Sequence, residues 1–105
     1  MEGTEAKVSL ASEVMGSDRG PYEVIAGISQ SLESSPRGTR FLLFGKEDII
    51  ESHANDFENL DSDHVEIRHA PEVVEMDETP IAGIKGKKNS SMAMALNCIK
   101  EQEAQ

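Results

Sequence analysis

The chain is 105 residues long, room for one small domain, and its apolar fraction of 37% with no Trp allows only a thin core of Val, Ile, Leu and Met. A formal net charge of −10 argues against non-specific binding to nucleic acid or to an anionic membrane surface. One cysteine, Cys98, excludes an internal disulfide and fits a reducing cytosol.

Residues 1–6 read as a flexible leader, too polar for a signal peptide, and no stretch approaches the ~20 apolar residues needed to span a bilayer. From Lys7 to Ala11, Val8 and Leu10 alternate with polar neighbours, the pattern of a short strand. A glycine-bearing turn follows through Gly16 and Gly20. Pro21 then stands where proline is favoured, in the first turn of a helix. Val24, Ile25, Ile28 and Leu32 recur at helical spacing, so an amphipathic helix is expected from Pro21 to about Ser34, ended by the breaker Ser34 to Thr39.

Arg40 to Gly45 is a nearly continuous apolar run, expected for a strand covered on both faces. Asp48 to Ala54 predicts a short helix, and Phe57 and Leu60 in the polar stretch after it are expected to fold back on the core. His64 to His69 alternates and predicts a third strand. An acidic loop bounded by Pro71 and Pro80 comes next, then a short helix near Ile81 to Ile84. Asn89 or Ser90 is expected to cap a last helix running to about Lys100. Met92, Leu96 and Ile99 fall on one face of that helix, with Met94 and Cys98 on the other.

Strand, helix, strand, helix, strand, helix is the signature of βαβ units and a parallel sheet. Ligands of such sheets bind beyond the carboxyl ends of the strands, here the loops at 12–20, 45–47 and 69–80. Acid is concentrated between Asp56 and Glu78, where Arg68 is the sole Lys or Arg, yet Lys85, Lys87 and Lys88 gather just ahead of the last helix. Cations beside a helix start, whose first N–H groups lack intrahelical partners, predict an anion site at Lys87, Lys88, Ser90 and Ser91. The plainer alternative is a set of solvated lysines with the two serines as caps.

Other residues carry weaker signals. Asp18 would orient phosphate-binding groups or bond the backbone of its own turn. His69 is a candidate acid or base, or a structural histidine, while His53 and His64 read as surface residues. Glu72 and Asp77 would position a lysine or a dimer contact, or merely solvate an acidic loop. Cys98, in mid-helix, is expected to be a packed thiol. The histidines and Cys98 lack metal-site spacing, and Gly16 to Gly20 is not the dinucleotide fingerprint.

Three blocks together resemble one known family. Glu13-Val14-Met15-Gly16-Ser17-Asp18-Arg19-Gly20-Pro21 follows the pattern D-A-M-G-G-D-x-G-P. His69-Ala70-Pro71-Glu72-Val73-Val74-Glu75-Met76-Asp77, with Pro80, follows H-A-P-E-V-I-x-M-D-x-x-P, and Lys87-Lys88-Asn89-Ser90-Ser91-Met92 follows K-K-x-S-S-M. From about Lys7 to its end the chain is similar to the PlsX-type phosphate acyltransferases of bacterial phospholipid synthesis. It departs at Glu13, Val14, Ser17, Gly83 and Lys85, with Ala11 and Ser12 appearing as two extra residues ahead of the first block, and the family's S-A-G-N-T-G segment is absent.

The resemblance implies a three-layer Rossmann-like α/β fold, a parallel sheet with flanking helices as in phosphotransacetylases and isocitrate dehydrogenases. Residues 7–105 would be its N-terminal βαβαβα portion, about the first third. It further implies a cytoplasmic or membrane-peripheral homodimeric enzyme that moves a fatty acyl group from acyl carrier protein to inorganic phosphate. No metal or organic cofactor and no nucleic acid is implied. The phosphate-facing residues would be Gly16, Asp18, Lys87, Lys88, Ser90 and Ser91, with His69, Glu72 and Asp77 as loop contacts and no general base identified. Because the rest of the family's site lies outside these residues, the chain alone is expected to be inactive. The alternatives are a non-catalytic relative that pairs with a full-length subunit and, more remotely, a dinucleotide-binding half-domain.

Overall fold

Alternation along a strand sends successive side chains to opposite faces of a sheet, so two apolar sets in one strand demand cover on both sides. That requirement is met in the computed structural model, which describes residues 8–16, 19–36, 38–72, 86–101 and 104. Strands β1 (Val8–Glu13), β2 (Thr39–Gly45) and β3 (Val65–His69) form a parallel sheet in the order β1-β2-β3. Helices α1 (Pro21–Ser34) and α2 (Glu47–Ala54) follow the first two strands, and α3 (Ser91–Lys100) closes the described chain.

The odd members of β2 and β3, Phe41, Leu43, Val65 and Ile67, pack with Leu10 of β1 against Ile25 and Ile28 of α1 and Ile50 and Ala54 of α2. The even members Leu42 and Phe44 pack with Ala11 on the other face against Met94, Ala95 and Cys98 of α3. The arrangement is therefore a three-layer, Rossmann-like α/β sandwich. Leu60 is buried in the first core and Phe57 lines it, as expected. Their turn is fastened to α1 by Ser29, whose hydroxyl donates to Asn59 Oδ1 at 2.7 Å while Asn59 Nδ2 donates to the Ser29 carbonyl at 2.8 Å.

Three expectations change. β1 does not stop at Ala11. Ala11, Ser12 and Glu13 pair with Leu42, Leu43 and Phe44, because the long apolar β2 offers its ladder that far, and Val14 N–H still donates to the Phe44 carbonyl at 3.0 Å. Ala11 and Ser12 are thus strand residues, not an extension of the turn. On α3 the inward stripe is Ser91, Met94, Ala95 and Cys98, whereas Leu96 and Ile99 are 50% and 41% exposed. Small side chains let the helix approach the wide Leu42 and Phe44, and the bulkier stripe is left outside. His53 is half-buried, its ring edge-on to Tyr22 at 5.3 Å.

The leader, Asp18, the acidic loop from Val73 with Asp77, the helix expected near Ile81 to Ile84 and Lys85 lie outside the described residues. Among the described residues no helix is long and apolar enough to cross a membrane.

Candidate functional site

Parallel strands deliver their carboxyl ends to one rim, and here Gly45 of β2 stands opposite His69 of β3, with Glu13 of β1 opposite Phe44. The parity of β1 decides where Glu13 points. Ala11 faces the α3 side, and Glu13, two residues on, shares that face. A slip of one residue would have turned it toward α1 and α2.

Glu13 reaches forward into the turn that follows it. Its Oε2 accepts from the Met15 N–H at 2.5 Å, and Gly16 N–H lies 2.7 Å from Oε1 and 3.1 Å from Oε2. The Ser91 hydroxyl also donates to Oε2, at 2.5 Å. One side chain thus binds the exit of the first strand to the first residue of the last helix. Glycine is required at two places for this approach. A Cβ on Gly16 would stand 2.4 Å from Glu13 Oε1, and one on Gly45 would meet Met15 Cγ at 2.9 Å and Ile50 Cδ1 at 3.0 Å.

The start of α3 is built from the neighbouring block. Ser90 is the cap, fully buried, its hydroxyl accepting from the Ala93 N–H at 3.2 Å. Ser90 N–H donates to the Lys87 carbonyl at 3.0 Å, closing the turn that carries the lysines. Glu72 lies beside Ser90 in a parallel bridge. Its N–H donates to the Asn89 carbonyl at 3.3 Å, its carbonyl accepts from Ser91 N–H at 3.0 Å, and its Oε1 accepts from Asn89 N–H at 3.2 Å. Lys87 is half-buried and Lys88 exposed at this edge.

Gly16, Ser90, Ser91 and Glu72 therefore come together on one rim, with Lys87 and Lys88 in the turn directly ahead of the helix. His69 stands at the β3 exit, beside the start of α2. Its Nδ1 accepts from the Glu47 N–H at 3.1 Å, so the ring caps α2, whose own N-cap residue Lys46 makes no side-chain cap bond. Accepting at Nδ1 places the ring proton on Nε2. Asp18 and Asp77 lie outside the described residues. Among the described residues no group of three or more His, Cys, Asp and Glu is placed to hold a metal ion.

The geometry details the helix start and adds one residue. The N–H groups of Ser91 and Ala93 are bonded to the Glu72 carbonyl and the Ser90 hydroxyl. An anion at this edge would depend more on the lysine charges and less on bare helix donors. The added residue is Glu13, which in sequence is only a departure from the first block's pattern. The available signal was an acid three residues before a glycine at a strand exit, the spacing from which a carboxylate can collect the turn's own N–H groups.

The family model described as "Fatty acid synthesis protein" matches residues 8–105. The chain is similar to proteins named phosphate acyltransferase. It is 34% identical over 97 residues to that of Pediococcus pentosaceus, an alignment covering 92% of this chain and 26% of the relative. For Halorhodospira halophila the identity is 36% over 99 residues, covering 94% and 29%. For Coxiella burnetii it is 37% over 101 residues, covering 91% and 28%. The chain thus spans little more than a quarter of the length of these curated relatives.

Proposed function

Because the chain belongs to the fatty acid synthesis protein family, we propose that it serves phosphate acyltransfer, contributing the phosphate-facing rim of an enzyme that makes acyl-phosphate. The acyl donor in this proposal is a fatty acyl thioester of acyl carrier protein, and the acceptor is inorganic phosphate. A phosphate oxygen attacks the thioester carbonyl, the carbon–sulfur bond breaks, and the thiol leaves. Lys87 and Lys88 supply the positive charge that draws phosphate to the rim of an otherwise acidic chain, and Gly16 with the Ser90–Ser91 helix start shapes its wall.

The observation that carries the proposal is the meeting of two matched blocks, Glu13–Gly16 and Lys87–Ser91, on the carboxyl edge of one parallel sheet. Phosphoanions at such an edge are a recurring use of this architecture. The relatives carry most of their length beyond the matched region, so the complete site, the homodimer and any peripheral membrane contact belong to the longer assembly. The location is cytoplasmic in this proposal, and the chain alone does not turn over.

The test is direct. Purified chain is supplied with acyl-acyl carrier protein and phosphate, alone and with the rest of a relative's enzyme, and acyl-phosphate is measured. Product only in the second mixture supports the proposal; none in either removes it. Protection against heat by inorganic phosphate, lost in Lys87→Ala/Lys88→Ala, locates the anion.

A second reading, a non-catalytic module that pairs with a longer subunit, is favoured by one observation. Leu96 and Ile99 expose an apolar stripe on α3. Capture of a full-length phosphate acyltransferase by the chain, abolished by Leu96→Glu/Ile99→Glu, is its expected outcome; no capture rejects it.

A further inference from the structure

We propose that Glu13 is a positioning residue for phosphate, holding the β1 exit turn and the α3 start at one fixed separation so that both walls face the same anion. The inference deepens the phosphate-binding proposal above and rests on it.

The geometry leaves Glu13 little other work. Three donors converge on its carboxylate: two consecutive backbone N–H groups, of Met15 and Gly16, and the hydroxyl of Ser91. The first two fold the turn back against the strand that ends in Glu13. The third fastens that turn to a helix 78 positions away in sequence. Ser91 is buried, so its hydroxyl has a settled direction, and Ser90 beside it is buried as well. The two walls of the rim are joined through this one carboxylate, while Glu72 secures the same helix start from the β3 side. Charge-assisted bonds of this kind are short and among the stronger ones available to a small domain.

Glu13→Ala and Ser91→Ala cut the link between the two residues from opposite ends, the first also removing the acceptor of the Met15 and Gly16 N–H groups.

The experiment is a double-mutant cycle on the affinity for inorganic phosphate, measured by calorimetry well below each variant's unfolding midpoint. The variants are Glu13→Ala, Ser91→Ala and their combination, with Lys87→Ala/Lys88→Ala as the reference for loss of the anion site. Each single variant is expected to weaken binding on the order of tenfold, the worth of a charge-assisted hydrogen bond. The combination is expected to be no weaker than Glu13→Ala alone, because the link to Ser91 can be lost only once. Amide exchange supplies a ligand-free arm: Ser91→Ala is expected to speed exchange at Met15 and Gly16. Unchanged affinity in both singles, or losses that add, overturns the inference while the lysine variant still tests the site. If the unmodified chain binds no phosphate, the site itself fails and the positioning role falls with it, whatever the exchange data show of the link.

Discussion

The Ser91 hydroxyl donates a 2.5 Å hydrogen bond to Glu13 Oε2, joining the first residue of the last helix to the last residue of the first strand. Parallel topology makes this possible, because every strand ends at the same rim and the last helix begins there too. The burial pattern of β1, the turn after it and the placement of α3 are consequences of one register.

Ser90→Ala removes the hydroxyl that accepts from the Ala93 N–H, in a position with no solvent to replace it. The expected loss is about 1–2 kcal/mol, near the upper part of the range for N-caps. Urea unfolding measures it, and Ser90→Asp is expected to recover part of the loss. A loss below a few tenths of a kcal/mol would mean that the cap does not form.

Gly45→Ala places a Cβ 2.9 Å from Met15 Cγ and 3.0 Å from Ile50 Cδ1. Met15 can swing aside, but Ile50 is fully buried, so the repacking should cost about 1–3 kcal/mol. Gly16→Ala, by contrast, meets only the carboxylate end of the Glu13 side chain. Its cost is expected to vanish in a Glu13→Ala background, and the pair of denaturation curves separates the two glycines.

His69→Ala leaves the Glu47 N–H without its imidazole acceptor. Loss of a helix cap predicts destabilisation of about 0.5–2 kcal/mol, with faster amide exchange confined to the start of α2. A variant that keeps this protection but loses phosphate binding would point to an anion contact instead of a cap.

Much of this was legible in the chain. Val24, Ile25, Ile28 and Leu32 announced α1, and the apolar run through Leu42, Leu43 and Phe44 announced a strand covered on both faces. The motif blocks announced the rim. What the sequence concealed depends on distance. The two faces of α3 both carry apolar residues, and only the breadth of Leu42 and Phe44 decides that Ala95 and Cys98 turn inward while Leu96 and Ile99 stay out. Similarly, Glu13 acquires its task from Ser91, and no local pattern links residues so far apart. His69 was visible as a candidate, but its partner is a backbone N–H at the start of α2, which leaves no mark on sequence.

The turn ahead of β3 has its own pH dependence. Asp61 Oδ1 lies 2.7 Å from His64 Nδ1, and chiefly this hydrogen bond holds the Asp61 carboxyl below its ordinary value of 3.8. A pKa lowered by folding contributes stability that is present above 3.8 and lost as pH falls through the folded value. The pair is open to solvent, so its effect on stability is small. An NMR titration of the Asp61 side-chain carbonyl is expected to show a depressed midpoint that rises toward the ordinary value in His64→Ala.

The most direct test of the central claim is a titration of the isotope-labelled chain with inorganic phosphate, followed through its backbone amide signals. If Glu13–Gly16 and Lys87–Ser91 form the two walls of one anion-binding rim, Gly16, Lys87, Lys88, Ser90 and Ser91 shift together and saturate with a single affinity. Shifts confined to one of the two segments, different affinities for the two, or no saturable change at either would contradict it.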